Sequence, residues 1–197
     1  MIGAIGVIDA FSTSYAQARV KFLEAAATAG LQIESFNHPL PGKDGEVVAL
    51  DVALQTSFNV KNAKAAEKLL VVNSASKTAD SFGGSGVQVF VLHDAEWMEK
   101  VRAAGVSVLY LHGSDPSLAD VVKKHVTAAK KVILVDISAA HSLKTTVYDA
   151  LAVAKLAERC KFSAVKPITA GDHAWEGQTI SQARQALFKA VDELARA

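Results

Sequence analysis

Seven polar residues stand just beyond short apolar runs, where chemistry could be done: Lys77, Asp80, His112, Asp115, Asp136, Ser138 and His141. Between them they offer carboxylates, imidazoles, an ammonium and a hydroxyl, the groups from which acid–base catalysis and metal ligation are built. The six histidines are His38, His93, His112, His125, His141 and His173, and no two have the His-x-x-x-His spacing that sets imidazoles on one helical face. A new metal site would instead need His112, Asp136 and His141 to converge at strand ends. Gly83-Gly84-Ser85-Gly86 is not a Gly-x-Ser-x-Gly elbow, because residue 87 is valine, and no lysine follows to make a P-loop. Close backbone packing is its expected role, with anion binding through backbone N–H groups or a nucleophilic Ser85 as the alternatives. Cys160 lies between Arg159 and Lys161, which could lower a thiol pKa, but a buried structural cysteine is the expected reading. The segment Asp172 to Gln178 is polar around Trp175 and could line a pocket or an interface.

These residues must be positioned by an alternating set of elements. Ala18, Phe22, Ala25 and Ala29 recur at helical spacing over Ser14–Ala29, with Ser12, Thr13 or Ser14 to cap the start and Gly30 to end it. Leu31–His38 and Val47–Leu54 read as strands around the turn residues of Pro39–Gly45, so they form an antiparallel hairpin. Leu69–Asn73, Val106–Leu111 and Val132–Ile137 are apolar runs expected of strands buried on both faces, and Phe162–Val165 is a short fourth. Helices are expected from Phe82 through Leu92, over Ser117–Lys130, Leu143–Arg159 and Ile180–Ala195. This order predicts a three-layer α/β domain over residues 1–197, its mixed, mostly parallel sheet flanked by helices, with antiparallel edge strands from the hairpin. Ligands then belong beyond the carboxyl ends of the parallel strands, in the loops Ser74–Ser81, His112–Pro116 and Asp136–His141.

Composition narrows the function. With 21 basic against 20 acidic residues there is no global field to draw in a polyanion, so nucleic acid is not an expected partner. Lys123, Lys124, Lys130 and Lys131 read as the solvated face of a helix. One cysteine permits no intramolecular disulfide. Met1–Phe11 is apolar but too short to span a bilayer and lacks a basic start, so the expectation is a cytoplasmic protein without a membrane partner.

Phe11-Ser-Thr-Ser-Tyr15-Ala-Gln-Ala-Arg19 with Lys21-Phe22-Leu23 resembles the opening of an uncharacterised branch of the zinc carboxypeptidase superfamily. The likeness continues through His38-Pro39-Leu40-Pro41-Gly42-Lys43-Asp44-Gly45-Glu46, Asp51-Val52-Ala53, Leu70-Val71-Val72 and Gly84-Ser85-Gly86-Val87-Gln88. Leu111-His112-Gly113-Ser114-Asp115-Pro116 is a weaker echo of the family's His-Ala-x-Asn-Pro loop, and beyond it the chain is shorter than its relatives. The resemblance implies a zinc carboxypeptidase-like fold and a hydrolytic zinc site, but the ligand positions differ. The family's His-x-x-Glu pair falls on Lys77 and Asp80, and its later histidine on Ser138 of Asp136-Ile137-Ser138. The catalytic glutamate falls on Lys166, and the segment that would grip a substrate carboxylate is missing. A protonated lysine offers zinc no lone pair and repels a dication at ~4 Å by several kcal/mol, and serine is a weak ligand. Without the ion nothing lowers the pKa of an attacking water, and without the glutamate nothing takes its proton.

The expectation is therefore a degenerate, non-catalytic protein of that fold, without zinc or other cofactor, acting as a binding or assembly module. Its partner is expected to be a small molecule or a protein, with a homo-oligomer left open. The alternative is a hydrolase of peptide or amide bonds with a site rebuilt from Lys77, Asp80, His112, Asp136 and Ser138. Lys77 and Asp80, three apart, either pair where the metal would sit, the ammonium replacing its positive charge, or stand side by side on an exposed loop.

Overall fold

A computed structural model describes residues 7–12, 14–37, 49–56, 68–75, 83–113, 123, 125–127, 129–137, 164–167 and 176–196. A short helix α1 (Val7–Ala10) precedes α2 (Tyr15–Thr28), whose cap is Ser14: its hydroxyl accepts from Gln17 N at 3.2 Å. Gly30 follows at φ 76°, the left-handed conformation that a helix end favours. Strands β1 (Gln32–Asn37), β2 (Ala49–Gln55) and β3 (Lys68–Asn73) come next, then α3 (Gly83–Leu92) and α4 (Ala95–Ala104). Strands β4 (Ser107–Gly113), β5 (Lys131–Asp136) and β6 (Ala164–Pro167) lead to the closing helix α5 (Glu176–Ala195).

The six strands form one sheet in the order β1-β2-β4-β3-β5-β6. Pairings β1–β2 and β2–β4 are antiparallel, whereas β4–β3, β3–β5 and β5–β6 are parallel, so the sheet is mixed. The expected hairpin forms, but only β1 is an edge; β2 lies between β1 and β4 and is buried accordingly. Ile33 and Phe36 are three apart and thus on opposite faces of β1, and each packs against a different core cluster.

Those two clusters are the two faces of the sheet. On one face Ala53, Leu70, Val72, Val108, Tyr110, Ile133 and Val135 meet side chains from each of α1 to α5, among them Phe22, Val87, Trp97 and Leu187. On the other, Leu50, Val52, Val71, Leu109, Leu111 and Leu134 are covered by Val126, with Ala129 beside it. Lys123, His125, Val126 and Thr127 are helical; Val126 is buried while Lys123 and Thr127 are exposed, as the amphipathic reading requires. The rest of the expected Ser117–Lys130 helix and all of Leu143–Arg159 lie outside the described residues.

Helix α4 has no counterpart in the sequence reading, although its signals are present. Asp94 caps it, accepting from Glu96 N at 3.0 Å and Trp97 N at 3.2 Å, and Gly105 ends it at φ 67°. Trp97 and Val101, four apart, are its buried pair. Arg184 of α5 also donates to Asp94 (Nε–Oδ2 2.6 Å), and Trp97 leans on Phe188, so α4 and α5 are locked together.

Candidate functional site

The chain leaves β3 over one face, through α3 and α4, and leaves β4 over the other, past Val126. Connections that part in this way open a crevice at the carboxyl ends of the central strands. Asn73, Ser74, His112, Gly113 and Asp136 stand there.

On the helical face the centre is His112, 2% exposed. Its Nε2 lies 2.6 Å from Ser85 Oγ, and its ring stacks on Phe22 at 4.6 Å between centroids and 7° between planes. Tyr15 stacks farther out at 6.1 Å. Burial pushes the imidazole pKa down to about 4; the Asp51 charge opposes that fall and Arg19 adds to it. His112 is therefore neutral near pH 7, and its Nδ1 is buried without a hydrogen-bond partner among the described residues.

Directly across the ladder from His112 is Asp51, fully buried. Arg19, 22% exposed, reaches it from α2 with two charge-assisted bonds, Nε–Oδ2 at 2.8 Å and Nη2–Oδ1 at 3.1 Å. The hydrogen bond to Asp51 raises the Arg19 pKa above its ordinary value. Tyr15 Oη donates to the Ala49 carbonyl at 3.4 Å, and Lys21 Nζ donates to the carbonyls of Asp9 (2.8 Å) and Phe11 (2.6 Å). Phe11 in turn lies on Gly86: a Cβ there would stand 2.3 Å from its ring. Gly113 is needed for a similar reason, since a Cβ would meet the Ala49 carbonyl oxygen at 2.2 Å.

The opposite face of the crevice carries a different set. Asn73 Nδ2 donates to Asp136 Oδ1 at 3.0 Å, and its Oδ1 accepts from Ala75 N at 3.2 Å. Back on the helical face, Ser74 Oγ lies 2.5 Å from Gln88 Oε1, and Gln88 Nε2 donates to the Val72 carbonyl at 3.2 Å, which ties α3 to the end of β3.

Of the residues read as a rebuilt site, His112 and Asp136 are described, and they do not meet. They lie on β4 and β5, with β3 between, and their side chains leave opposite faces of the sheet. Lys77, Asp80, Asp115, Ser138, His141 and Cys160 lie outside the described residues, so the Lys77–Asp80 pair and the third histidine do too. Lys166 is on β6 and pairs with Glu193 of α5, holding that carboxyl below its ordinary pKa. Among the described residues no group of three or more His, Cys, Asp or Glu side chains converges. Among the described residues the strand-end donors do not fit a zinc ion: one His112 nitrogen is taken by Ser85, the other is enclosed, and Asp136 is held by Asn73. No helix among the described residues is long and apolar enough to cross a membrane.

Sequence reasoning missed the hub itself. Phe11, Tyr15, Arg19, Phe22, Asp51 and Ser85 all belong to the segments on which the family resemblance rests, and here they pack around or beside His112. The signal was available in those quoted segments, but nothing in their spacing says that they meet.

A family model described as a protein of unknown function (DUF2817) matches residues 11–117. No curated protein matches the chain. Among solved structures, the glutaminyl cyclase of Porphyromonas gingivalis is similar over 94% of this chain and 99% of its own, at 11% identity and a TM-score of 0.54. A protein assigned as a zinc-dependent exopeptidase from Bacteroides vulgatus is similar over 97% of this chain and 98% of its own, also at 11% identity and a TM-score of 0.54. The fold is thus one shared with zinc-dependent exopeptidases and glutaminyl cyclases.

Proposed function

Since this chain belongs to the family described as a protein of unknown function (DUF2817), we propose that it is a non-catalytic, zinc-free relative of the carboxypeptidase-like enzymes that serves as a binding or assembly module. The observation that carries this reading is the use of the strand-end donors within the fold: His112 by Ser85, Asp136 by Asn73, Ser74 by Gln88. A peptidase site keeps such groups open toward metal and substrate; a scaffold spends them on its own stability. The positions where the resemblance expects zinc ligands hold Lys77, Asp80 and Ser138, which supports the same conclusion. The partner on this reading is a small molecule or another protein met in the cytoplasm, or a second copy of the chain.

The test is metal analysis of the purified protein beside aminopeptidase, carboxypeptidase and glutaminyl-cyclisation assays. The expected result is no stoichiometric metal and no chelator-sensitive turnover. One tightly held zinc per chain, with turnover lost to chelator and restored by the ion, overturns the reading.

A second reading, a hydrolase with a rebuilt site, is favoured by the 2.6 Å contact between Ser85 and a neutral imidazole. A neutral imidazole is a competent general base for a serine hydroxyl. Against it, His112 Nδ1 has no third group to orient it among the described residues, and Ser85 is inside a regular helix rather than on an exposed turn. Labelling of Ser85 by a fluorophosphonate, lost in His112→Gln, would select this reading.

A further inference from the structure

At the end of the strands opposite His112, β2 finishes in Gln55, which is 7% exposed and whose carboxamide is satisfied at one end only among the described residues. Trp97 Nε1 donates to Tyr110 Oη at 2.8 Å, and Tyr110 Oη donates to Gln55 Oε1 at 2.5 Å. The direction of this relay is forced. An indole N–H only donates, so the phenol oxygen accepts there and its hydrogen must go to Gln55. Burial also pushes the Tyr110 pKa far above the ordinary value for a phenol, which keeps that hydrogen in place. The carboxamide is thereby turned so that Oε1 faces the core, and Nε2 has no hydrogen-bond partner among the described residues.

Gln55 lines an open cleft of about 490 Å³ between the ends of α2 and β2 and the first turns of α4. Leu31 and Met98 give it an apolar wall, and Glu99 and Arg102 stand at its rim. Arg102 spends Nε (3.0 Å) and Nη2 (2.5 Å) on Glu99, which leaves Nη1 with two N–H groups to offer. The volume is within the range of small-molecule sites, and a few fixed polar groups on apolar walls is their usual composition.

We propose that this cleft binds a compact carboxylate with a short apolar tail, its oxygens accepting from Gln55 Nε2 and Arg102 Nη1 while the tail lies on Leu31 and Met98. A carboxylate brings acceptors only, so it satisfies the donors without importing an N–H of its own. A neutral amide would import one, and Gln55 Oε1 is already taken by Tyr110. The site is independent of whether the strand-end crevice has lost its zinc, because it lies at the opposite end of the β2–β4 ladder.

The experiment is a ¹H–¹⁵N titration of the full chain with 4-methylpentanoate, read at the Gln55 carboxamide and the Trp97 indole. Both signals are expected to shift together and to saturate in the millimolar range suited to so small a ligand. The neutral 4-methylpentanamide is expected to bind at least about fivefold more weakly, through loss of the charge-assisted bonds. Gln55→Glu keeps an acceptor for Tyr110 but replaces the donor with an anion, and is expected to weaken binding at least about tenfold. Arg102→Gln, on the exposed face of α4, is expected to cost severalfold with the fold intact. Shifts that never saturate, equal binding of the amide, or equal binding by both variants would overturn the proposal.

Discussion

Replacing Arg19 by alanine removes one partner of a pair whose two members differ in access to water. Arg19 is 22% exposed and Asp51 is fully buried, so deleting the cation strands a carboxylate that cannot reach solvent. Breaking a buried pair in this way costs about 3–5 kcal/mol, a large share of the roughly 5–15 kcal/mol by which a domain is stable. The converse change, Asp51→Asn, leaves a guanidinium that can turn toward water and forfeits only charge-assisted hydrogen bonds, about 1.5–3 kcal/mol. At this chain length each kcal/mol shifts the melting temperature by about 2–4 °C, so Arg19→Ala should melt on the order of 10 °C lower. Urea denaturation followed by tryptophan fluorescence at pH 7 measures both variants, and the double variant closes the cycle. In Arg19→Ala/Asp51→Asn the stranded charge is gone, so part of the loss should return. Arg19→Ala within about 1 kcal/mol of the parent, or milder than Asp51→Asn, would show that the pair is not desolvated as the structure has it.

Two other outcomes follow from the same hub. His112 has its folded pKa lowered from 6.5 to about 4, so the unfolded chain takes up the proton first on acidification. The stability this residue contributes is whole above about pH 6.5 and is lost as pH falls toward 4, by roughly 3 kcal/mol at most. Urea midpoints at pH 7 and 4.5 should separate less in His112→Gln, and an unchanged separation refutes the assignment. Gly86→Ala sets a helix-propensity gain of about 1 kcal/mol against an overpacking cost of about 1–3 kcal/mol, because the new methyl meets the Phe11 ring at 2.3 Å. Thermal melts should show a net loss that Phe11→Ala partly relieves in the double variant; a stabilised Gly86→Ala would mean that the ring moves aside freely.

The strands were legible because their signal is strong and local. Leu69–Val72 and Val132–Val135 are uninterrupted apolar runs, and both fall in buried interior strands of the sheet. The cap at Ser14 and the stop at Gly30 were equally plain. Helix α4 escaped because charged residues interrupt its apolar face, leaving Trp97 and Val101 as its buried pair. The strand order was beyond sequence reasoning, since nothing local says that β4 enters between β2 and β3. That order also separates His112 from Asp136, which the loop-by-loop reading had grouped together. The site was legible as a location, the carboxyl ends of the central strands, but not as a set of contacts. Pairing Arg19 with Asp51, or Ser85 with His112, requires knowing which strand faces which helix.

The insertion of β4 between two strands made earlier bears on the order of assembly. Until Ser107–Gly113 has been synthesised, the β1–β2 hairpin and β3 have no edge in common, and Asp51 has no His112 opposite it. A nascent chain ending near residue 105 therefore holds two unconnected fragments of sheet with bare edges, the condition under which intermediates associate with one another. The middle strand acts as a keystone, and joining segments so distant along the chain slows the search for the native arrangement.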